Sequence, residues 1–159
     1  MKRFLLSIAI ATIAMCAMAE AGDMAAGLQF HYASKNSMVG LGAQFQIEPV
    51  RNVRVAPEFI YYFKDSGIDA YNVNINLHYL IRSYGGSVFY PIAGFSYANF
   101  EHDPGYGTGK YSWDRCGANI GIGYESRIND RFTFYTEERF QILKDWNQSV
   151  TTLGLKFNF

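Results

Sequence analysis

The stretch SVTTLGLKFNF, residues 149–159, decides the fold. In an extended chain successive side chains point to opposite faces, so Thr151, Leu153, Leu155, Phe157 and Phe159 share one face. Thr152, Gly154, Lys156 and Asn158 share the other. One side is apolar and aromatic; the other is polar or tiny. A strand of this kind, ending on Phe159, needs an apolar surround outside the protein, and lipid is such a surround.

The opposite end of the chain reads as an export signal. Lys2 and Arg3 form a basic start, Phe4 to Met15 is an apolar run, and Ala17-Met18-Ala19 is a small-x-small cleavage site. The expectation is a signal peptide over residues 1–19, with Ala21 as a near alternative cleavage point, followed by one domain over 20–159. A retained anchor fits less well, because the apolar run is short for a bilayer. A lipoprotein reading at Cys16 would place Met15 where a small residue belongs.

After such processing about 140 residues remain, enough for one domain. Without Lys2 and Arg3 the balance is 12 basic against 14 acidic residues, a net charge near −2. That excludes an electrostatic nucleic-acid binder, and none is expected as a partner. Cys116 alone is left, so no intramolecular disulfide is expected. No later segment approaches the ~20 apolar residues of a membrane helix.

Alternation like that of 149–159 recurs to make eight segments: 28–32, 39–47, 53–63, 71–81, 89–97, 116–125, 132–142 and the last. Tyr71, Val73, Ile75, Leu77, Tyr79 and Ile81 against Asn72, Asn74, Asn76 and His78 is the clearest. Short turns near 48–52, 83–87 and 126–130 alternate with the segments 64–70, 99–113 and 143–148; ASKNS (33–37) is a short member of the second set. This predicts an eight-stranded antiparallel up-and-down transmembrane β-barrel, with both ends of the chain on the short-turn side. Closure would leave no unpaired edge in the bilayer.

The glycines settle which face points inward. Gly40, Gly42, Gly117, Gly121, Gly123 and Gly154 fall with the Asn, Gln, Glu and Lys residues. A barrel of eight strands is only just wide enough for side chains to fill, so small and polar residues belong inside and aromatics outside. The alternative is a soluble lipocalin-like ligand-binding barrel, the same alternation turned inside out. On the expected inner face lie Arg54, Glu58, Arg115, Glu125, Glu137, Arg139 and Lys156. Glu125, Glu137, Arg139 and Lys156 are on neighbouring strands and are expected to form one lumenal network, with Arg54 and Glu58 completing the inner charges; buried charges must pair.

The signal peptide, the eight strands and the terminal LGLKFNF resemble the small outer-membrane β-barrels of the OmpA barrel domain and OmpX type; FYTEERF (134–140) is also similar. The resemblance implies residence in the outer membrane, in contact with its lipid. It also implies handling by periplasmic chaperones and the barrel-assembly machinery. Leu153, Leu155, Phe157 and Phe159 match the assembly signal of that family.

Function is less well marked. A narrow porin-like channel through the polar lumen is one reading. Another is a non-enzymatic structural or adhesion-type role through the loops, where Tyr106, Tyr111 and Trp113 sit among glycines and charges, a composition used for recognition of an extracellular ligand. No cofactor or metal site is expected: His31 and His78 face inward singly, and His102-Asp103 is a lone pair. No catalytic triad is apparent, so an enzyme is not expected. Glu138 falls on the lipid face, and a bulge after Tyr135 is expected to turn it inward.

Overall fold

A computed structural model describes residues 23–65, 68–83, 85–102 and 111–159. The expected signal peptide and Tyr106 lie outside these residues. Eight strands follow in order: β1 Met24–Ala33, β2 Met38–Val50, β3 Val53–Asp65, β4 Ile68–Tyr79 with a two-residue continuation at Ile81–Arg82, β5 Ser87–His102, β6 Tyr111–Arg127, β7 Phe132–Leu143 and β8 Gln148–Asn158. Each pairs antiparallel with the next, and β8 returns to β1 through pairs such as Leu28↔Leu155. The ring is closed, as an all-strand membrane span requires.

Local chemistry explains the tight turns at one end. Gly85 and Gly86 adopt φ of 88° and 80° between β4 and β5, and Asn52 takes φ 67° between β2 and β3. Asn129 Oδ1 accepts the backbone N–H of Arg131 (2.9 Å) and Phe132 (2.8 Å), closing the β6–β7 turn. Both ends of the described chain lie on this turn side, where the Phe159 N–H donates to the Met24 carbonyl at 2.9 Å. Pro49 sits where the β2–β3 register shifts, between Ile47 and Val50.

The two faces have the predicted sense. Gln29, His31, Gln44, Asn74, Glu58, Glu137, Arg139 and Lys156 are buried inside, while the exterior is a belt of Leu, Ile, Val and aromatics in which Leu28 is 74% and Ile122 68% exposed. Water does not tolerate so large an apolar surface, whereas a bilayer solvates it. This removes the inside-out soluble barrel. Outward tyrosines and phenylalanines form two bands, Tyr32, Tyr61, Tyr71 and Tyr97 toward the loop end and Tyr79, Phe89, Tyr124 and Phe132 toward the turn end.

Two expectations are corrected. The strands run further toward the loop end: residues 99–102 belong to β5 and 111–113 to β6, paired from Asn99↔Asp114 to His102↔Tyr111. Likewise β3 extends to Asp65 and β4 begins at Ile68. And Glu138 is not turned inward. The β6–β7 register is unbroken through Glu125↔Tyr135, Gly123↔Glu137 and Ile122↔Glu138, so no bulge re-aims it, and Glu138 stays on the outer face.

Candidate functional site: the filled lumen and its outer rim

The lumen is built in layers. At the loop end, where the strands outrun the polar pattern, the inner face becomes apolar: Met38, Ile60, Tyr62, Phe100, Leu143 and Val150 are buried together. Trp113 stacks on Phe100 with ring centres 5.7 Å apart, and Trp146 packs on Phe100 at 4.8 Å. Lys35 covers this plug, its Nζ 4.2 Å over the Trp146 ring and donating to the Asp145 carbonyl at 3.2 Å. Beneath lies an amide layer in which Gln148 donates to Gln141 (2.7 Å), Gln141 to Ser96 (3.3 Å) and Asn119 to Asn76 (2.9 Å).

The charged side chains follow in two groups, not in one network. In the upper group Arg139 donates to both oxygens of Glu58, at 2.5 and 2.9 Å, and to Thr152 Oγ1 at 3.3 Å. His31 lies 3.6 Å from Glu58 and hydrogen-bonds Thr152 at 3.0 Å. Glu137 approaches Arg139 Nε at 3.6 Å and accepts from the Tyr90 hydroxyl at 3.1 Å. In the lower group Arg54 donates to both oxygens of Glu125 at 2.9 and 3.0 Å, and Lys156 donates to Glu125 at 2.6 Å and Gln46 at 2.8 Å. Arg54 and Glu58 on β3 thus reach across to β6 and β7 on the opposite wall, an arrangement that strand-neighbour reasoning does not reveal.

The upper group carries two carboxylates for one guanidinium, and the lower two cations for one carboxylate. Each excess charge offsets the other within one barrel. Tyr90 stands between them, bonded to Glu137 and with Arg54 5.7 Å from its ring centre, and His78 stacks on it at 4.7 Å. Glycines make room for these inward rings: a Cβ at Gly123 would strike Tyr90, and one at Gly154 would strike Tyr135.

Beyond Arg54 and Glu125, a polar vestibule of roughly 250 Å³ opens at the turn end. Arg82 bonds Glu48 there at 2.6 Å and Asn52 at 2.5 Å. At the other rim Tyr111 is 64% exposed, whereas Trp113, expected in a loop, is half-buried on β6 within the plug. Arg115 lies on the inner face at this mouth, bonded to the Lys144 carbonyl and 3.5 Å from Asp145. Leu153, Leu155, Phe157 and Phe159 line the exterior of the closing strand, with Phe157 touching both Phe132 and Phe159 at ring distances of 5.5 and 5.4 Å. Among the described residues no group of three or more His, Cys, Asp or Glu side chains is placed to hold a metal.

The sequence matches no family model and no curated protein sequence. Solved structures do match. The N-terminal β-barrel domain of OprF from Pseudomonas aeruginosa superposes with a TM-score of 0.71 at 17% identity, over 87% of this chain and 99% of that one. The chain has the fold of a small outer-membrane β-barrel. Neisserial surface protein A is similar at a TM-score of 0.67 and 14% identity, over 87% and 97% of the two chains. Ail, the attachment invasion locus protein of Yersinia pestis, solved with the heparin analogue sucrose octasulfate, gives 0.63 at 14% identity, over 87% and 99%. At these identities the likeness is one of fold.

Proposed function

We propose that this protein is a non-conducting, non-enzymatic outer-membrane barrel whose role is structural or surface-interacting, carried by the rim that faces away from the tight turns. The supporting observation is the filled lumen. Phe100, Trp113 and Trp146 pack across its mouth, and the charges beneath pair with one another. A conducting path needs polar groups free to coordinate ions along its length, and an apolar plug favours dewetting instead. The His31–Glu58 pair is fully buried, out of reach of a substrate.

The rim then carries any recognition. Tyr111 projects there, Tyr106 lies in the adjoining segment, and Trp113 holds the strand end from below. Ail, named for attachment, has the same barrel and supports this direction without naming a ligand. On the same reading residues 1–19 are removed on export, periplasmic chaperones carry the chain, and Leu153, Leu155, Phe157 and Phe159 present the signal for assembly into outer-membrane lipid.

The test has two parts. The refolded barrel in a planar bilayer is expected to show no steady conductance; stable single-channel openings that vanish on Glu137→Gln or Arg139→Met would establish the channel instead. Replacing residues 103–110 with a Gly/Ser linker should leave heat-dependent gel mobility intact and abolish binding of expressing cells to host-type surfaces. Unchanged binding would remove the loop from the account.

A further inference from the structure

Among the described residues the outer surface holds a group that a lipid-facing wall does not explain. Glu138 lies midway along β7, on the exterior and between the two aromatic bands. Thr151 Oγ1 donates to its Oε2 at 2.6 Å, and among the described residues nothing else donates to this carboxyl. Polar and ionisable groups in hydrocarbon are costly and rarely face lipid directly, so such a group calls for a partner.

The surface on either side of it is uneven. Toward β5 a lateral groove of roughly 740 Å³ is lined by Leu77, Tyr79, Pro91, Ala93, Ile120 and Ile122, with Glu138 at its edge. Its floor is low because Pro91 and Ala93 are short while the flanking side chains are long. On the other side of β7 stands a ridge, Leu153 and Leu155 on β8 paired with Phe30 and Leu28 on β1, all exposed. Groove, carboxyl and ridge therefore follow one another around the wall.

We propose that this face is the contact between two copies of the chain, related by a two-fold axis along the membrane normal that passes beside Glu138. In such an isologous contact one patch must complement itself. The rotation sets the ridge of each copy into the groove of the other and brings the two Glu138 carboxyls together. With one proton between them they hydrogen-bond across the axis, while each Thr151 continues to donate within its own copy. The inference needs only the membrane-embedded barrel and is independent of what the rim binds.

The test uses the refolded protein in phosphatidylcholine vesicles, with dyes on Cys116→Ser/Asp130→Cys, and reads energy transfer against protein-to-lipid ratio. Transfer above random proximity, falling on dilution with lipid, is expected. Glu138→Leu and Ala93→Trp should each raise the half-association ratio about tenfold, for the first the worth of one strong hydrogen bond in a bilayer. Both substitutions lie on the lipid face, and heat-dependent gel mobility checks that each variant is folded. In a Cys116→Ser background Thr136→Cys should crosslink on oxidation and Phe59→Cys, exposed on β3 of the opposite wall, should not. Random transfer for the wild type at every ratio, as when an acyl chain fills the groove, overturns the proposal. So does association unaffected by both substitutions, or equal crosslinking through Phe59→Cys.

Discussion

Arg139→Met probes how the lumen holds its charges. Arg139 is fully buried, donates to Glu58 at 2.5 and 2.9 Å, and lies 3.6 Å from Glu137. Removing it strands two carboxylates in the barrel interior, and breaking a buried pair from one side costs about 3–5 kcal/mol. Glu58→Gln leaves Arg139 its contact with Glu137 and an amide oxygen to bond, so its cost should be smaller, about 1–3 kcal/mol. With a urea slope of about 2 kcal/mol/M, Arg139→Met should lower the unfolding midpoint by about 2 M. The assay is equilibrium unfolding of the refolded barrel in lipid vesicles, followed by fluorescence of Trp113 and Trp146. The double variant should cost less than the sum of the singles, with a coupling of about 0.5–3 kcal/mol. An Arg139→Met cost below about 1 kcal/mol, or one smaller than that of Glu58→Gln, would refute the idea that the upper group is a mutually dependent ionic layer.

Three further outcomes can be measured in the same vesicles. Gly154→Ala places a methyl against the Tyr135 ring and should cost about 1–3 kcal/mol in the urea midpoint, a loss reduced when Tyr135 is also made Leu. Leu28→Arg sets a charge on the lipid-facing belt and should destabilise by about 2 kcal/mol, whereas the same change in a soluble barrel would be nearly silent. Arg82→Ala removes the turn-end bond to Glu48, but Arg82 is substantially exposed, so the cost should stay under about 1 kcal/mol and shrink in 1 M salt.

The barrel was legible because lipid reverses the usual burial rule and the reversal shows as alternation. Asn72, Asn74 and Asn76 against Tyr71, Val73 and Ile75 could be sided correctly once the glycines marked the inner face. The same reasoning missed the strand ends at residues 99–102 and 111–113 for a physical reason. There the pattern changes phase: Ala98, Phe100 and Leu143 point inward while Asn99 and Asp114 point outward. Beyond the bilayer the wall meets water and the ordinary rule returns, so apolar residues go inside. A reading that expects one sign of alternation takes this inversion for a loop. Partnership across the lumen was out of reach for another reason. Parity tells that Arg54 and Glu125 face inward, but not that they meet, since they sit 71 residues apart on opposite walls. Glu138 shows a third limit: the bulge was inferred to relieve an awkward acid, and the chain left the acid where parity put it.

The inverted rim has a use as a display scaffold. Strands β5 and β6 remain hydrogen-bonded up to His102 and Tyr111, and Phe100 and Trp113 clamp them from within. A peptide grafted between those two residues would depart from anchors that belong to a small water-facing core of their own. Because the entropy of closing a loop grows only slowly with its length, long inserts there should burden the membrane-embedded wall very little. Foreign sequence could be exchanged at that position while the glycines, the ion pairs and the lipid belt stay as they are.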